Sequence, residues 1–428
     1  MGKYLLLLWF IAVLFLQGCA QQNDIFPGKI YDHVSLKSDS SLSYAIYIPA
    51  NSKVKHPPAF LFFDPHGHGD IPVMRYKELA DRFGILLIGN NNSSNATPMN
   101  TISSNLQLLL AELSSTFALN EKDIAFWGFS GGAKAAMYNA GLNNGISYCI
   151  YGGSVINRQH DNIEQLGFNG KQDMNYTDLL GYAAQQKDNP RHLQIEFDGI
   201  HAWPDTTSAA DAFRWLLLKK MQHKELVSDK IFIAQTVATY KKQISSLMQS
   251  NHYTDAYLTC NKSLKLLQSL TETSYFTSKK SFISTQPLFK KQLQDLQASL
   301  DIETSIKTKY QTDLITRDTL YWRKEIAELQ ILSNTDKSGT YSRLLGFLSL
   351  ASYSYANRVF QTQDMSSLER LLFIYQHADP SNPEQAFMRA KLHVLKNEPE
   401  QARNALKEAI LLGFDKKRIE ADAVLNKL

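Results

Sequence analysis

Cysteine is scarce in this chain, with three among 428 residues. Three scattered thiols exclude a disulfide-stapled scaffold, and Cys149 and Cys260 read as small buried side chains in an apolar strand and a helix. Excess charge of one sign is also missing: 45 Lys and Arg face 41 Asp and Glu, a net charge of +4. No basic stripe or basic-aromatic module recommends nucleic acid as a partner. No Gly-rich Lys-Ser/Thr loop and no nicotinamide or flavin fingerprint is found, so no cofactor is expected. The apolar run Tyr4 to Leu16 has only thirteen residues, too short for a comfortable membrane span.

Glycine is the most telling scarcity. Eighteen of the 21 glycines precede position 200, and only Gly339, Gly346 and Gly413 follow. A turn-rich first region therefore gives way to long helices. In the first region, Ile30 to Leu36 and Leu42 to Ile48 read as an antiparallel edge. Strands then alternate with helices: Ala59 to Phe63 before Val73 to Phe83, and Ile85 to Gly89 before Thr101 to Phe117. Such alternation predicts an α/β fold, a mostly parallel sheet with helices on both faces and chemistry at the carboxyl ends of its strands.

What is present at one such end is Gly128-Phe129-Ser130-Gly131-Gly132, between the apolar run Ile124 to Trp127 and the small residues Ala133 to Ala136. This is a strand, a sharp turn and a helix with a serine at the apex. A serine hydroxyl is a poor nucleophile, and enzymes that use one expose it on a tight turn beside a base and backbone N–H groups. An acid and a histidine should follow. His201, in the loop after the strand His192 to Phe197, is the candidate base. Asp173, in the glycine-bearing turn Gly167 to Asn175, is the candidate acid, with Asp161 its main rival.

The loop after Ala59 to Phe63 reads Asp64-Pro65-His66-Gly67-His68-Gly69-Asp70. Its flexible turn offers the amides of His66, Gly67 and His68 as oxyanion donors, alongside that of Gly131. The same cluster of His and Asp could ligate a metal, but no further ligand segment is evident, and no metal is expected. The run Asn90 to Asn95 follows another strand end; Asn91 and Asn92, with Trp203, are the candidate substrate contacts.

The elbow at Ser130, the His66-Gly67 loop and the order Ser, Asp, His together resemble the α/β-hydrolase superfamily over about residues 28–222. The resemblance implies a serine-nucleophile hydrolase working through Ser130, Asp173 and His201, with esterases, peptidases and lactone hydrolases all inside it. The loop lacks a His-Gly-Gly-Gly run, which departs from the lipase pattern. No long apolar insertion forms a lid, so small or polar esters are favoured over greasy ones.

At the N-terminus, Lys3, the apolar run and Leu16-Gln17-Gly18-Cys19 read as a signal peptide over residues 1–18. The last four residues resemble the lipobox of bacterial lipoproteins, which implies acylation of Cys19 and a tether over residues 19–27. The implied location is the bacterial cell envelope, lipid-anchored, with the outer membrane favoured in a Gram-negative cell because Ala20 rather than aspartate follows Cys19.

Residues 223–428 read as an all-α region. Ala356, Leu368, Leu372, Tyr375 and Pro380 recur 34 positions later as Ala390, Ala402, Leu406, Ala409 and Phe414. That period resembles the tetratricopeptide repeat, in degenerate form. Such stacks build surfaces that hold a protein or peptide partner; a plain buttress for the hydrolase is the other reading.

The sequence thus points to an exported carboxylic ester hydrolase acting on a small or polysaccharide-linked ester. A serine peptidase of the same fold and a non-catalytic binding or assembly lipoprotein are the alternatives.

Overall fold

A computed structural model describes residues 25–50, 57–157, 162–362 and 364–427. The segment read as a signal peptide, Cys19 and the rival acid Asp161 lie outside the described residues.

Eight strands form one sheet in the order β1-β2-β4-β3-β5-β6-β7-β8. They are β1 (Ile30–Ser35), β2 (Ser43–Tyr47), β3 (Ala59–Phe63), β4 (Leu86–Asn90), β5 (Ile124–Phe129), β6 (Tyr148–Gly152), β7 (Glu164–Gly170) and β8 (His192–Phe197). β1 and β2 form the antiparallel edge, β2 runs antiparallel to β4, and all remaining pairs are parallel. This is the mostly parallel sheet with an antiparallel edge expected from the alternation of elements. One expectation needs correction: Gly167 and Gly170 belong to β7, so the turn bearing Asp173 begins only at Lys171. β7 is buried along its whole length, so its glycines pack against neighbours: a Cβ on Gly167 would lie 2.6 Å from the Tyr151 hydroxyl.

Side chains alternate across the central strands, which buries both faces. From β3 and β5, Phe60, Phe62 and Trp127 join one core with α1 (Asp70–Phe83) and α5 (Thr206–Gln222). Leu61, Phe63 and Phe126 join the other, with α2 (Met99–Phe117), α3 (Gly131–Leu142) and α4 (Tyr176–Gln185). Continuous apolar strands are the mark of a sheet covered on both sides.

Most of α5 is buried because it is sandwiched. The first core runs past it into α6 (Lys230–Gln249), α7 (Tyr253–Leu267) and α8 (Ser274–Thr285), through Tyr240, Ile244, Cys260 and Phe276. Asp211 on α5 meets Lys262 of α7, Arg214 and the Tyr240 hydroxyl. Burial opposes ionisation, yet the two cations hold the Asp211 carboxyl below its usual range. Cys149 and Cys260 are both buried and free.

A third core joins α9 (Pro287–Thr316), α10 (Thr319–Ser333), α11 (Thr340–Thr362), α12 (Met365–Ala378), α13 (Pro383–Leu395) and α14 (Pro399–Leu411). α11 pairs with α12 and α13 with α14. Ala356, Leu368, Leu372, Tyr375, Ala390, Ala402, Ala409 and Phe414 are all buried.

Candidate active site

Ser130 sits between β5 and α3 with φ 53° and ψ −124°, a left-handed backbone that a side chain rarely adopts. The glycines around it are required by close approach. A Cβ on Gly128 would lie 2.2 Å from the Gly132 carbonyl oxygen, and one on Gly132 would lie 1.9 Å from that of Phe63. The Ser130 amide donates to the Gly152 oxygen at 2.8 Å, which pins the elbow to β6.

His201 lies in the loop between β8 and α5, with Nε2 3.0 Å from Ser130 Oγ. Its Nδ1 lies 2.9 and 3.0 Å from the two oxygens of Asp173, which is only 2% exposed. An ionised carboxylate only accepts, so Nδ1 carries the proton and Nε2 turns its lone pair toward the serine hydroxyl. The Asp173 turn and the His201 loop are joined by backbone bonds from Lys171 N to Phe197 O and from Gln172 N to Gly199 O, both 2.9 Å. Asn175 N donates to Asp173 Oδ1 at 2.8 Å.

The electrostatic frame of these loops is a cluster around Lys171. Its ammonium pairs with Asp255 of α7 at 2.8 Å and with Asp198 at 3.3 Å. Burial works against the charge, but these carboxylates hold the Lys171 ammonium above its usual range. Burial pushes the neighbouring Glu196 carboxyl up, although Tyr176 donates to it at 2.8 Å and Lys171 attracts it.

The loop after β3 turns its candidate amides inward. The amides of His66 and His68 donate to Asp64 Oδ1 at 2.9 and 3.4 Å, and that of Gly67 donates to the Asp64 oxygen at 3.2 Å. All three candidate donors are thus engaged inside their own turn, two by the buried Asp64 carboxylate and one by the Asp64 backbone carbonyl. Asp64 Oδ2 accepts from Trp203 Nε1, and the Trp203 indole packs among Phe62, Tyr76 and Trp127. The structure places Trp203 in the core, with its indole N–H turned to Asp64.

Asn91 and Asn92 are likewise taken up by the fold. Asn91 accepts from the Gly69 amide and donates to Asp32 O and Ser43 Oγ; Asn92 exchanges both its amide groups with the backbone of Ser43. The residue of that run that reaches the elbow is Asn95. A Cβ on Gly131 would fall 1.6 Å from Asn95 Oδ1, and the Asn95 carboxamide has no hydrogen-bond partner among the described residues. Gly131 opens α3, so its amide has no intrahelical acceptor.

A cleft of about 390 Å³ opens beside Ser130 and His201, with Ser93, Ser94, Asn95, Thr97, Ser154 and Asn175 as its polar lining. Lys134 stands exposed at its rim without an ion pair among the described residues, and Leu350 of α11 forms part of the wall. The amide and hydroxyl run marked this region in the sequence; nothing marked Leu350.

No family model matches the chain, and no curated protein matches it. Among solved structures, it is similar to the fluorophosphonate-binding serine hydrolase FphF of Staphylococcus aureus, at 14% identity over 45% of this chain and 99% of that one, with a TM-score of 0.36. It is similar to Est1E from Butyrivibrio proteoclasticus at 12% identity, covering 45% of this chain and all 100% of that one, TM-score 0.36. Esterase B from Lactobacillus rhamnosis matches at 13% identity over 51% and 97% of the two chains, TM-score 0.38.

Proposed function

We propose that the chain is a serine hydrolase that cleaves polar carboxylic esters through an acyl-enzyme. The observation that carries the reading is the continuous hydrogen-bonded chain from Ser130 Oγ through His201 to the buried Asp173, on an elbow held at a positive φ. Ser130 attacks the ester carbonyl while His201 Nε2 takes its proton. His201 then returns the proton to the departing alkoxide, the acyl group stays on Oγ, and water activated by the same imidazole releases the acid. Asp173 keeps the proton on Nδ1 and stabilises the imidazolium.

The tetrahedral intermediate needs donors on its oxyanion. The Gly131 amide is one, and the unpartnered Asn95 carboxamide above Gly131 takes the place expected of the His66 to His68 amides. The hydroxyl- and amide-rich lining favours a polar, carbohydrate-like alcohol over a greasy one, and the unpaired Lys134 favours a neutral or acidic substrate over a basic peptide. Export with acylation of Cys19, and a tetratricopeptide-like stacking of the α11–α12 and α13–α14 pairs, complete the proposal as a surface-anchored esterase.

The test is labelling of the folded protein with a fluorophosphonate, read by intact mass beside Ser130→Ala. One adduct on the wild type that vanishes in the variant supports the reading. Folded wild-type protein that takes no adduct and hydrolyses no acetyl ester overturns it.

A further inference from the structure

We propose that the helical region is part of the catalytic machinery, with Arg343 as a positioning residue that holds the turn carrying Asp173. The inference rests on the serine-hydrolase reading above. Its starting point is what brackets the acid. Asp173 lies in the five-residue connection from Lys171 to Asn175, and a cation from the helical region reaches a backbone carbonyl on each side of it. Arg343 Nη1 of α11 donates to Lys171 O at 2.6 Å, and Lys307 Nζ of α9 donates to Met174 O at 3.3 Å.

These cations are themselves fixed. Arg343 and Glu303 of α9 are both wholly buried, 0% exposed; the guanidinium donates from Nε to Glu303 Oε2 at 2.7 Å, and its Nη2 lies 2.7 Å from the same oxygen as an ion pair. Arg343 also donates to Ser338 O and Thr340 Oγ1, and its plane lies over the Tyr176 ring just after the turn. Glu303 pairs at its other oxygen with Lys307 at 2.7 Å. A guanidinium forked between a carboxylate and carbonyls is a rigid anchor, which an apolar buttress would not require.

The scarce glycines of this region mark the same place. Gly339 has φ 74°, and a Cβ there would lie 2.7 Å from Lys171 O; a Cβ on Gly346 would lie 3.0 Å from that of Met174. Two of the three glycines after position 200 therefore let α11 close onto the two ends of the acid turn. Arg343, Gly346 and Leu350 recur at helical spacing on one face of α11, so the helix that grips the turn also walls the cleft. Lys171 Nζ adds a third tie, to Asp255 of α7.

A triad acid works by holding the imidazole within a narrow geometry, and a displacement of about 1 Å can cost about a hundredfold in rate. Loosening the clamp should then lower kcat and leave substrate binding alone. The full-length chain is compared with Arg343→Lys, which keeps a charge on Glu303 but cannot span its partners, with Arg343→Met, which removes that charge, with Lys307→Met, and with Gly346→Val, which presses on Met174 without orphaning a charge. Folding is checked by circular dichroism and thermal melting. The expected result is a fall in kcat of about tenfold or more with KM within about twofold, and Arg343→Lys less impaired than Arg343→Met. Folded variants with wild-type kcat, even at reduced Tm, make the contact structural and overturn the proposal. Should Arg343→Lys fail to fold, Lys307→Met and Gly346→Val decide by the same criterion. A wild type that a fluorophosphonate labels while the variants stay fully active sinks the clamp alone; a folded wild type that takes no label and hydrolyses no acetyl ester sinks the hydrolase reading and the clamp with it.

Discussion

Trp203 donates its indole N–H to Oδ2 of Asp64 at 2.9 Å, tying the loop after β3 to the loop that carries His201. Asp64 also organises its own turn through the amides of His66 and His68, so one buried carboxylate fixes two loops. Asp64→Asn keeps the volume but offers only one accepting oxygen. It should cost about 1–3 kcal/mol of stability by leaving a buried donor unmet, and lower ester turnover about 10- to 100-fold through displacement of His201. Urea melts and initial rates check both; wild-type stability in the variant would show that the carboxylate is dispensable.

Asn95 and Gly131 make the second prediction. Removal of the proposed side-chain donor in Asn95→Ala should lower kcat about 100- to 1,000-fold with KM little changed, the range seen when a single oxyanion donor is removed. Gly131→Ala should be equally damaging, because its Cβ would displace the Asn95 carboxamide. Steady-state kinetics on a small acetyl ester are the measurement. Full activity of Asn95→Ala would return the oxyanion role to the loop after β3.

Acid should destabilise the fold through His192. Burial, with a smaller push from the Lys265 cation, lowers its pKa from the usual 6.5 to about 4. Its Nε2 lies 2.7 Å from the Tyr151 hydroxyl. The unfolded chain therefore binds a proton below pH 6.5 that the folded chain refuses until about pH 4, so stability falls as pH drops through that window. At ~1.4 kcal/mol per pH unit the loss from this group is about 3 kcal/mol. His192→Gln should flatten the dependence by that amount in urea melts between pH 4.5 and 7; an unaltered slope would mean that His192 protonates freely in the fold.

Lys262 and Asp211 join α7 to α5 inside the first core. Lys262→Met removes one partner of a buried pair and should destabilise the protein by about 3 kcal/mol, even with Arg214 still bonded to Asp211. The triple variant Lys262→Met, Asp211→Leu and Arg214→Met, which removes the whole charged cluster, should recover part of that loss, since buried ion pairs compete poorly with apolar packing. Chemical denaturation of the two variants tests the order.

The sequence alone determined the elbow and the sheet, and it named His201 and Asp173, with Asp161 as the rival acid, as the partners of Ser130. Gly128, Ser130 and Gly132 are legible because their steric demand is local, and the apolar strands are legible because both faces of a parallel sheet are buried. It did not distinguish Asn95 from Asn91 and Asn92, which are the same residue type within five positions; only the path of the turn after β4 decides which carboxamide reaches Gly131. Nor did the turn after β3 disclose that Asp64 would claim its amides, because that depends on a tryptophan 139 positions away. The clamp on Asp173 is the furthest from sequence reach. Arg343 and Lys171 are 172 positions apart, and a single long-range bond to a backbone carbonyl carries no periodicity or composition by which a sequence can announce it.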